Sequence, residues 1–251
     1  MSNRSGGRTP ARTRGLSRAI LRTAAVVPLL LGAAGRLNAQ VGHDPAHSPF
    51  RDITTRQGLT VFGGRFFGNK AEAGVGAAPG PMLGLRLQTR LSGPLDLWLS
   101  FAGVSSTRLV VNPDSPLTSR TTGPINYDLV IADMALGFNL TGLKTWHGLA
   151  PYFSIGAGVE IPTQGRTDPG GYEARQNFTF IPAIGTRVAV ARRVALLLEL
   201  RDYLIRYEWP LAYFQPTNTA VPPVLDSRKY DAKDLTSNLG LTVGLSYRFN
   251  F

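Results

Sequence analysis

From Asn238 to Phe251 the chain alternates without interruption. Leu239, Leu241, Val243, Leu245, Tyr247, Phe249 and Phe251 share one parity, and Asn238, Gly240, Thr242, Gly244, Ser246, Arg248 and Asn250 share the other. Side chains of a strand switch faces at every residue, so the pattern predicts a strand with one apolar face and one small or polar face. A strand in a soluble sheet usually runs about 5 or 6 residues, whereas a tilted strand crossing a bilayer needs about 9 to 11. The length of this segment matches the second requirement.

Similar patterning divides the chain into eight strand-like segments, at about 59–68, 81–91, 95–105, 126–140, 150–161, 177–190, 194–208 and 236–251. The intervening stretches alternate in length: 69–80, 106–125, 162–176 and 209–235 are long, and 92–94, 141–149 and 191–193 are short. In an antiparallel meander this places long loops at one end and short turns at the other, as in an up-and-down membrane barrel. The segments at 81–91, 95–105 and 150–161 are cleanly two-faced, with Leu83, Leu85 and Leu87 opposed to Gly84, Arg86 and Gln88 as one example. Three places fit less well. Pro182 predicts a bulge or loop boundary in the sixth segment, since it cannot donate to a ladder. Leu129 and Ile131 fall on the inner parity of the fourth, which predicts a bulge or a portion projecting beyond the bilayer. Phe62, Arg65, Phe66 and Phe67 leave the parity of the first undefined.

Charge fixes which face is enclosed. Arg201 turned toward lipid near the midplane would cost about 2 to 4 kcal/mol, so Glu199, Arg201 and Tyr203 point inward and Leu196, Leu198 and Leu200 outward. Glu160, Arg187, Arg86 and Arg90 then share the interior. Isolated charges in a narrow low-dielectric space are costly, and hydrogen-bonded pairs are tolerated. The expectation is an ion-pair network of Arg86, Arg90, Glu160, Arg187, Glu199 and Arg201, centred on Glu160, Arg187, Glu199 and Arg201. It is read as a polar plug, with a gate or narrow ion pathway as the alternative, because eight strands leave an interior only wide enough for side chains. Tyr203, Tyr207, Trp209, Tyr213 and Phe214, with Trp146, Tyr247, Phe249 and Phe251 toward the other end, are expected to form interfacial girdles, with ordinary loop packing as the alternative.

The composition carries a second signal. The chain holds 27 Lys and Arg against 16 Asp and Glu, a formal charge of +11, and no cysteine. Seven arginines and no acid precede position 40, and the uncharged run Thr23 to Gly35 ends near Leu37-Asn38-Ala39. That is the form of a secretory signal peptide, residues 1–39, too short in its apolar part for a spanning helix. Its removal leaves 20 basic against 16 acidic residues (27 − 7 against 16), or +4, so the support for nucleic-acid binding largely disappears. Residues 40–58 read as a periplasmic lead-in and 59–251 as the barrel domain. Without cysteine the exported fold is held by pairing and packing, and thiol chemistry is excluded.

The ending Tyr247-Arg248-Phe249-Asn250-Phe251 resembles the closing strand of bacterial outer-membrane barrels, and the whole pattern resembles the small OmpA-like and OmpW-like barrels. The resemblance implies an all-β, eight-stranded antiparallel up-and-down transmembrane barrel in the outer membrane of a diderm bacterium. It also implies Phe251 as an assembly signal for the outer-membrane assembly machinery, and lipid and lipopolysaccharide as partners. A soluble lipocalin-like barrel is the rival fold, and it requires aliphatic residues lining the cavity. The expected role is structural or surface interaction, with a narrow solute conduit as the alternative. An outer-membrane enzyme is disfavoured, since His43, His47 and His147 are the only histidines and none is placed for a serine–histidine pair. No cofactor is expected, and Pro45 between His43 and His47 opposes the helical turn that would bring them together as a metal pair.

Overall fold

The computed structural model describes residues 48–164 and 167–250. The proposed leader, His43, His47 and Phe251 lie outside these residues. The strands are β1 (Phe50–Asp52), β2 (Gln57–Phe67), β3 (Gly80–Ser92), β4 (Leu95–Val104), β5 (Thr107–Val111), β6 (Thr121–Asn126), β7 (Leu129–Asn139), β8 (Lys144–Trp146), β9 (Leu149–Pro162), β10 (Asn177–Ala191), β11 (Val194–Glu208) and β12 (Lys233–Phe249).

Eight of these close a barrel. Each of β2, β3, β4, β7, β9, β10, β11 and β12 pairs antiparallel with the next, and β12 returns to β2 with Leu239 opposite Phe67 and Phe249 opposite Gln57. Closure leaves no unpaired edge, which is what a hydrocarbon solvent demands of a sheet. The connections 68–79, 105–128, 163–176 and 209–232 all leave from one end, and 93–94, 140–148 and 192–193 from the other. The hairpin of β5 and β6 lies within the second long connection.

The parity read from sequence is the parity of the walls. Leu85, Leu87, Leu99, Ile155, Leu198 and Val243 are exposed on the outer face, while Arg86, Trp98, Ser100, Tyr152, Glu199 and Arg201 are buried inside. Cross-strand partners share a face, so Leu87 opposite Leu99 and Leu198 opposite Val243 build a continuous aliphatic belt. A soluble protein does not carry an apolar surface of this extent. The belt excludes the lipocalin-like alternative. Among the described residues no helix is long and apolar enough to cross a membrane, so crossing falls to the strands.

Each of the three irregular places is continuous in at least one ladder. β7 contains no bulge: Leu129 and Ile131 are buried on the inner row, in unbroken register with β4 and β9, because the interior itself turns apolar at that level. β10 continues through Pro182 without a register shift. Its ladder to β11 lapses at Ile181 and Pro182 and resumes unchanged, while Pro182 remains opposite Ile155 of β9. β2 has a definite parity, with Thr60, Phe62 and Phe66 buried and Arg65 and Phe67 outward.

The end of the lead-in is tied to the short-turn end. β1 pairs with β8, placing Phe50 opposite Trp146 and Asp52 opposite Lys144. The Ile53 amide donates to Leu143 O at 2.7 Å, the Arg90 amide to Arg56 O at 2.9 Å, and the Arg56 amide to Asn250 Oδ1 at 2.7 Å.

Candidate functional site

The interior is stratified along the barrel axis because inward residues rise two positions at a time along each strand. Nearest the short turns, Asp96 of β4 accepts from Gln88 Nε2 at 2.7 Å and Asn139 Nδ2 at 2.9 Å. Arg187 of β10 reaches the same carboxylate at 3.3 Å and donates to Asn139 Oδ1 at 2.6 Å. Above this lie Trp98 and Tyr152, edge to face with ring centroids 5.0 Å apart. The Arg187 guanidinium stands 4.9 Å from the Tyr152 ring centroid, and that of Arg86 4.8 Å from the Trp98 ring.

The central layer is the best-connected. Arg86 of β3 holds Glu199 of β11 in a two-pronged pair, with nitrogen–oxygen distances of 2.9 and 2.6 Å. Arg201 Nε donates to Glu199 Oε1 at 2.6 Å, and its NH1 donates to Asp133 Oδ2 of β7 at 2.8 Å. Tyr152 OH is a third donor to Glu199, at 2.7 Å, and Ser100 Oγ accepts from Arg86 Nε at 3.2 Å. All four charged side chains are buried. Two guanidiniums against two carboxylates balance the charge of the layer, and the planar forks engage both oxygens of Glu199 and one of Asp133, whose Oδ1 is buried without a partner.

Of the six interior residues singled out by sequence, Arg86, Glu199 and Arg201 meet in this layer and Arg187 lies in the layer below. Arg90 stands at the short-turn mouth, where its NH1 donates to Ile53 O at 3.0 Å. Glu160 is not brought into the network. It is fully buried near the long-loop end of β9, and neither carboxylate oxygen has a hydrogen-bond partner. Its electrostatic neighbours are instead Tyr127, Tyr172 and Tyr207. Shared inward parity was necessary for a meeting but did not set the height of Glu160 along the axis. Asp96 and Asp133 take the acidic places that Glu160 was expected to fill, and their signal was the inner parity they share with Trp98 and Ala135.

Above the ionic layer the interior is apolar. Phe66, Met82, Leu129, Ile131 and Ile205 are buried in one cluster that continues into the long connections through Val75, Val111, Tyr127, Tyr172, Trp209, Tyr213 and Leu225. Tyr203, Tyr207, Trp209 and Tyr213 are therefore enclosed and do not form a lipid-facing girdle, since the first two share the parity of Arg201 and the others fold over the barrel mouth. Trp209 stacks on Tyr207 at 5.6 Å and on Tyr213 at 6.4 Å between centroids. Trp146 and Tyr247, at the other end, are exposed as a girdle requires.

A buried pair pins this cap. Arg108 of β5 holds Asp168 of the third long connection at 2.7 and 3.0 Å. Its guanidinium also lies 5.6 and 5.5 Å from the ring centroids of Tyr127 and Tyr172. Burial opposes the charge of Arg108, but the hydrogen bond and charge of Asp168 outweigh it and hold the pKa above the ordinary value. Burial pushes the phenols of Tyr127, Tyr172 and Tyr213 up. Loop sequence gave no parity from which this pair could have been read.

His147 sits in the short turn, its ring edge-on to Trp146 with centroids 5.0 Å apart. Among the described residues no group of three or more histidine, aspartate or glutamate side chains is arranged to hold a metal ion.

A closed eight-strand wall, aliphatic outside and charged inside, defines the chain as a transmembrane β-barrel. No family model matches it, and no curated protein does. Among solved structures it is similar to Neisserial surface protein A, with 13% identity, a TM-score of 0.49, and 80% of this chain and 98% of that chain covered. It is also similar to the outer membrane protein OprG from Pseudomonas aeruginosa, at 11% identity and TM-score 0.44, covering 78% of this chain and 98% of that one.

Proposed function

We propose that this protein is a closed outer-membrane barrel of a diderm bacterium with a structural or surface-interaction role. The observation that carries the reading is the Arg86–Glu199–Arg201–Asp133 cluster, which joins side chains of β3, β7 and β11 across the interior. A conducting lumen would need water where these groups bond one another. The aromatic cap made by the long connections adds a second obstruction. Planar-bilayer recording of the purified protein is expected to show no large, stable openings, and such openings would overturn the closed reading in favour of a solute conduit.

In this reading residues 1–39 are a cleaved leader, Phe251 is recognised by the assembly machinery, and the long connections face outward toward lipopolysaccharide and extracellular partners. The chain has no cysteine, so single labels are unambiguous. Ser227→Cys is expected to react with a membrane-impermeant thiol reagent on intact cells, and Arg192→Cys is not. The reverse pattern would invert the topology.

A further inference from the structure

Among the described residues, the short-turn mouth carries more arginine than acid. Arg90, Arg187 and Arg248 gather there around Asp96: Arg187 lies 3.3 Å from its carboxylate, Arg90 faces Asp96 across the β3–β4 ladder, and Arg248 is opposite Gly58, whose partner Gln88 donates to Asp96 at 2.7 Å. Asp96 is the acid felt by both Arg90 and Arg248. Among the described residues that set holds three guanidiniums against one carboxylate, with the exposed Arg56 side chain beside it. Its donors are also incompletely used. The Nε atoms of Arg187, which is 3% exposed, and of Arg90 are buried without a hydrogen-bond partner. The Arg248 side chain makes no hydrogen bond or ion pair among the described residues, although its amide is fixed to Arg193 O at 2.7 Å. By contrast, the central layer balances two against two with its forks engaged. Like charges held together in a low-dielectric recess are unfavourable unless a counter-charge joins them.

We infer that this mouth is a binding site for a phosphate-type oxyanion, held by Arg90, Arg187 and Arg248. Guanidinium forks match the oxygen spacing of phosphate and bind it in pairs of charge-assisted hydrogen bonds, which a halide cannot reproduce. Access is graded, since Arg187 is buried, Arg90 and Arg248 are partly exposed and Arg56 is open to solvent. The segment carrying Ile53 and Arg56 forms one wall, joined to Arg90 by main-chain and side-chain bonds. The same chemistry is offered by free phosphate and by the phosphodiester of a lipid headgroup in the adjoining leaflet.

The test uses the mature chain refolded in octyl glucoside, with inorganic phosphate titrated calorimetrically at low salt. Saturable binding is expected. Arg248→Gln and Arg90→Gln should each weaken it by about tenfold or more, as loss of a charge-assisted hydrogen bond requires. Arg65→Gln, on the outer face at the long-loop end, should leave it unchanged. Circular dichroism checks that each variant retains its strands, and should Arg90→Gln not fold, Arg248→Gln decides, because its side chain supports no contact. In octyl glucoside at fixed ionic strength, phosphate affinity that falls when a short-chain phosphatidylglycerol is added identifies the headgroup as ligand, and affinity that does not change identifies the free anion. Absence of saturation, or wild-type affinity in Arg248→Gln, overturns the inference.

Discussion

Individual interior residues differ sharply in what their loss should do, although many are equally buried. Glu199 answers two arginines and a tyrosine, so Glu199→Gln leaves Arg86 and Arg201 undercompensated and is expected to cost about 3 to 5 kcal/mol. Glu160 answers none, and Glu160→Gln removes an unpartnered buried carboxylate, so stability should be unchanged or raised. Urea unfolding in lipid vesicles measures both. Their opposite signs follow from partners, not from burial or residue type. Glycine supplies a steric case. A Cβ at Gly137 would lie 2.2 Å from Trp98 Cζ2, inside the Trp98–Tyr152 layer, so Gly137→Ala should destabilise by about 1 to 3 kcal/mol in the same assay.

At the scale of the element, each strand is a two-faced wall whose faces answer to different solvents. Leu198 on β11 is outward between Leu197 and Glu199, and its partner Val243 belongs to the same belt. Leu198→Arg is expected to cost about 2 to 4 kcal/mol near the bilayer midplane. The same substitution at Leu211, exposed in the 209–232 connection, should cost little, and refolding yield into vesicles distinguishes the two. Strand existence, order and parity were legible in the sequence because a period of two is local information. Observed strand ends fall within three residues of those read from pattern. The exceptions are informative: Leu129 and Ile131 looked misplaced only because the inner face was assumed polar throughout. The pattern could not show that the lumen changes from ionic to apolar along its axis.

For the whole molecule, the cap couples the long connections to the barrel and gives a pH-dependent prediction. Tyr127, Tyr172 and Tyr213 keep their protons more tightly when buried than when released. Their contribution to closure is therefore fully present below the ordinary tyrosine pKa of about 10 and declines as pH rises beyond it. Loop proteolysis should stay flat from neutrality to about pH 10 and then increase, together with phenolate absorbance. Phenolate absorbance that appears at an ordinary pKa in an intact cap and is lost in Tyr127→Phe, Tyr172→Phe or Tyr213→Phe would contradict the packing of the three rings. Opening the cap in this way should still not produce large conductance steps, because the central ionic layer is independent of it.

The sequence by itself determined that eight two-faced strands cross hydrocarbon with the row of Leu198 outward and the row of Arg201 inward, since alternation and the cost of a lipid-facing charge are properties of each segment alone. Only the tertiary structure decided which charges meet. Glu199 with Arg86 and Arg201, Asp133 in place of Glu160, and Arg108 with Asp168 depend on strand register and loop path, which set height and azimuth in the barrel and which no single segment encodes.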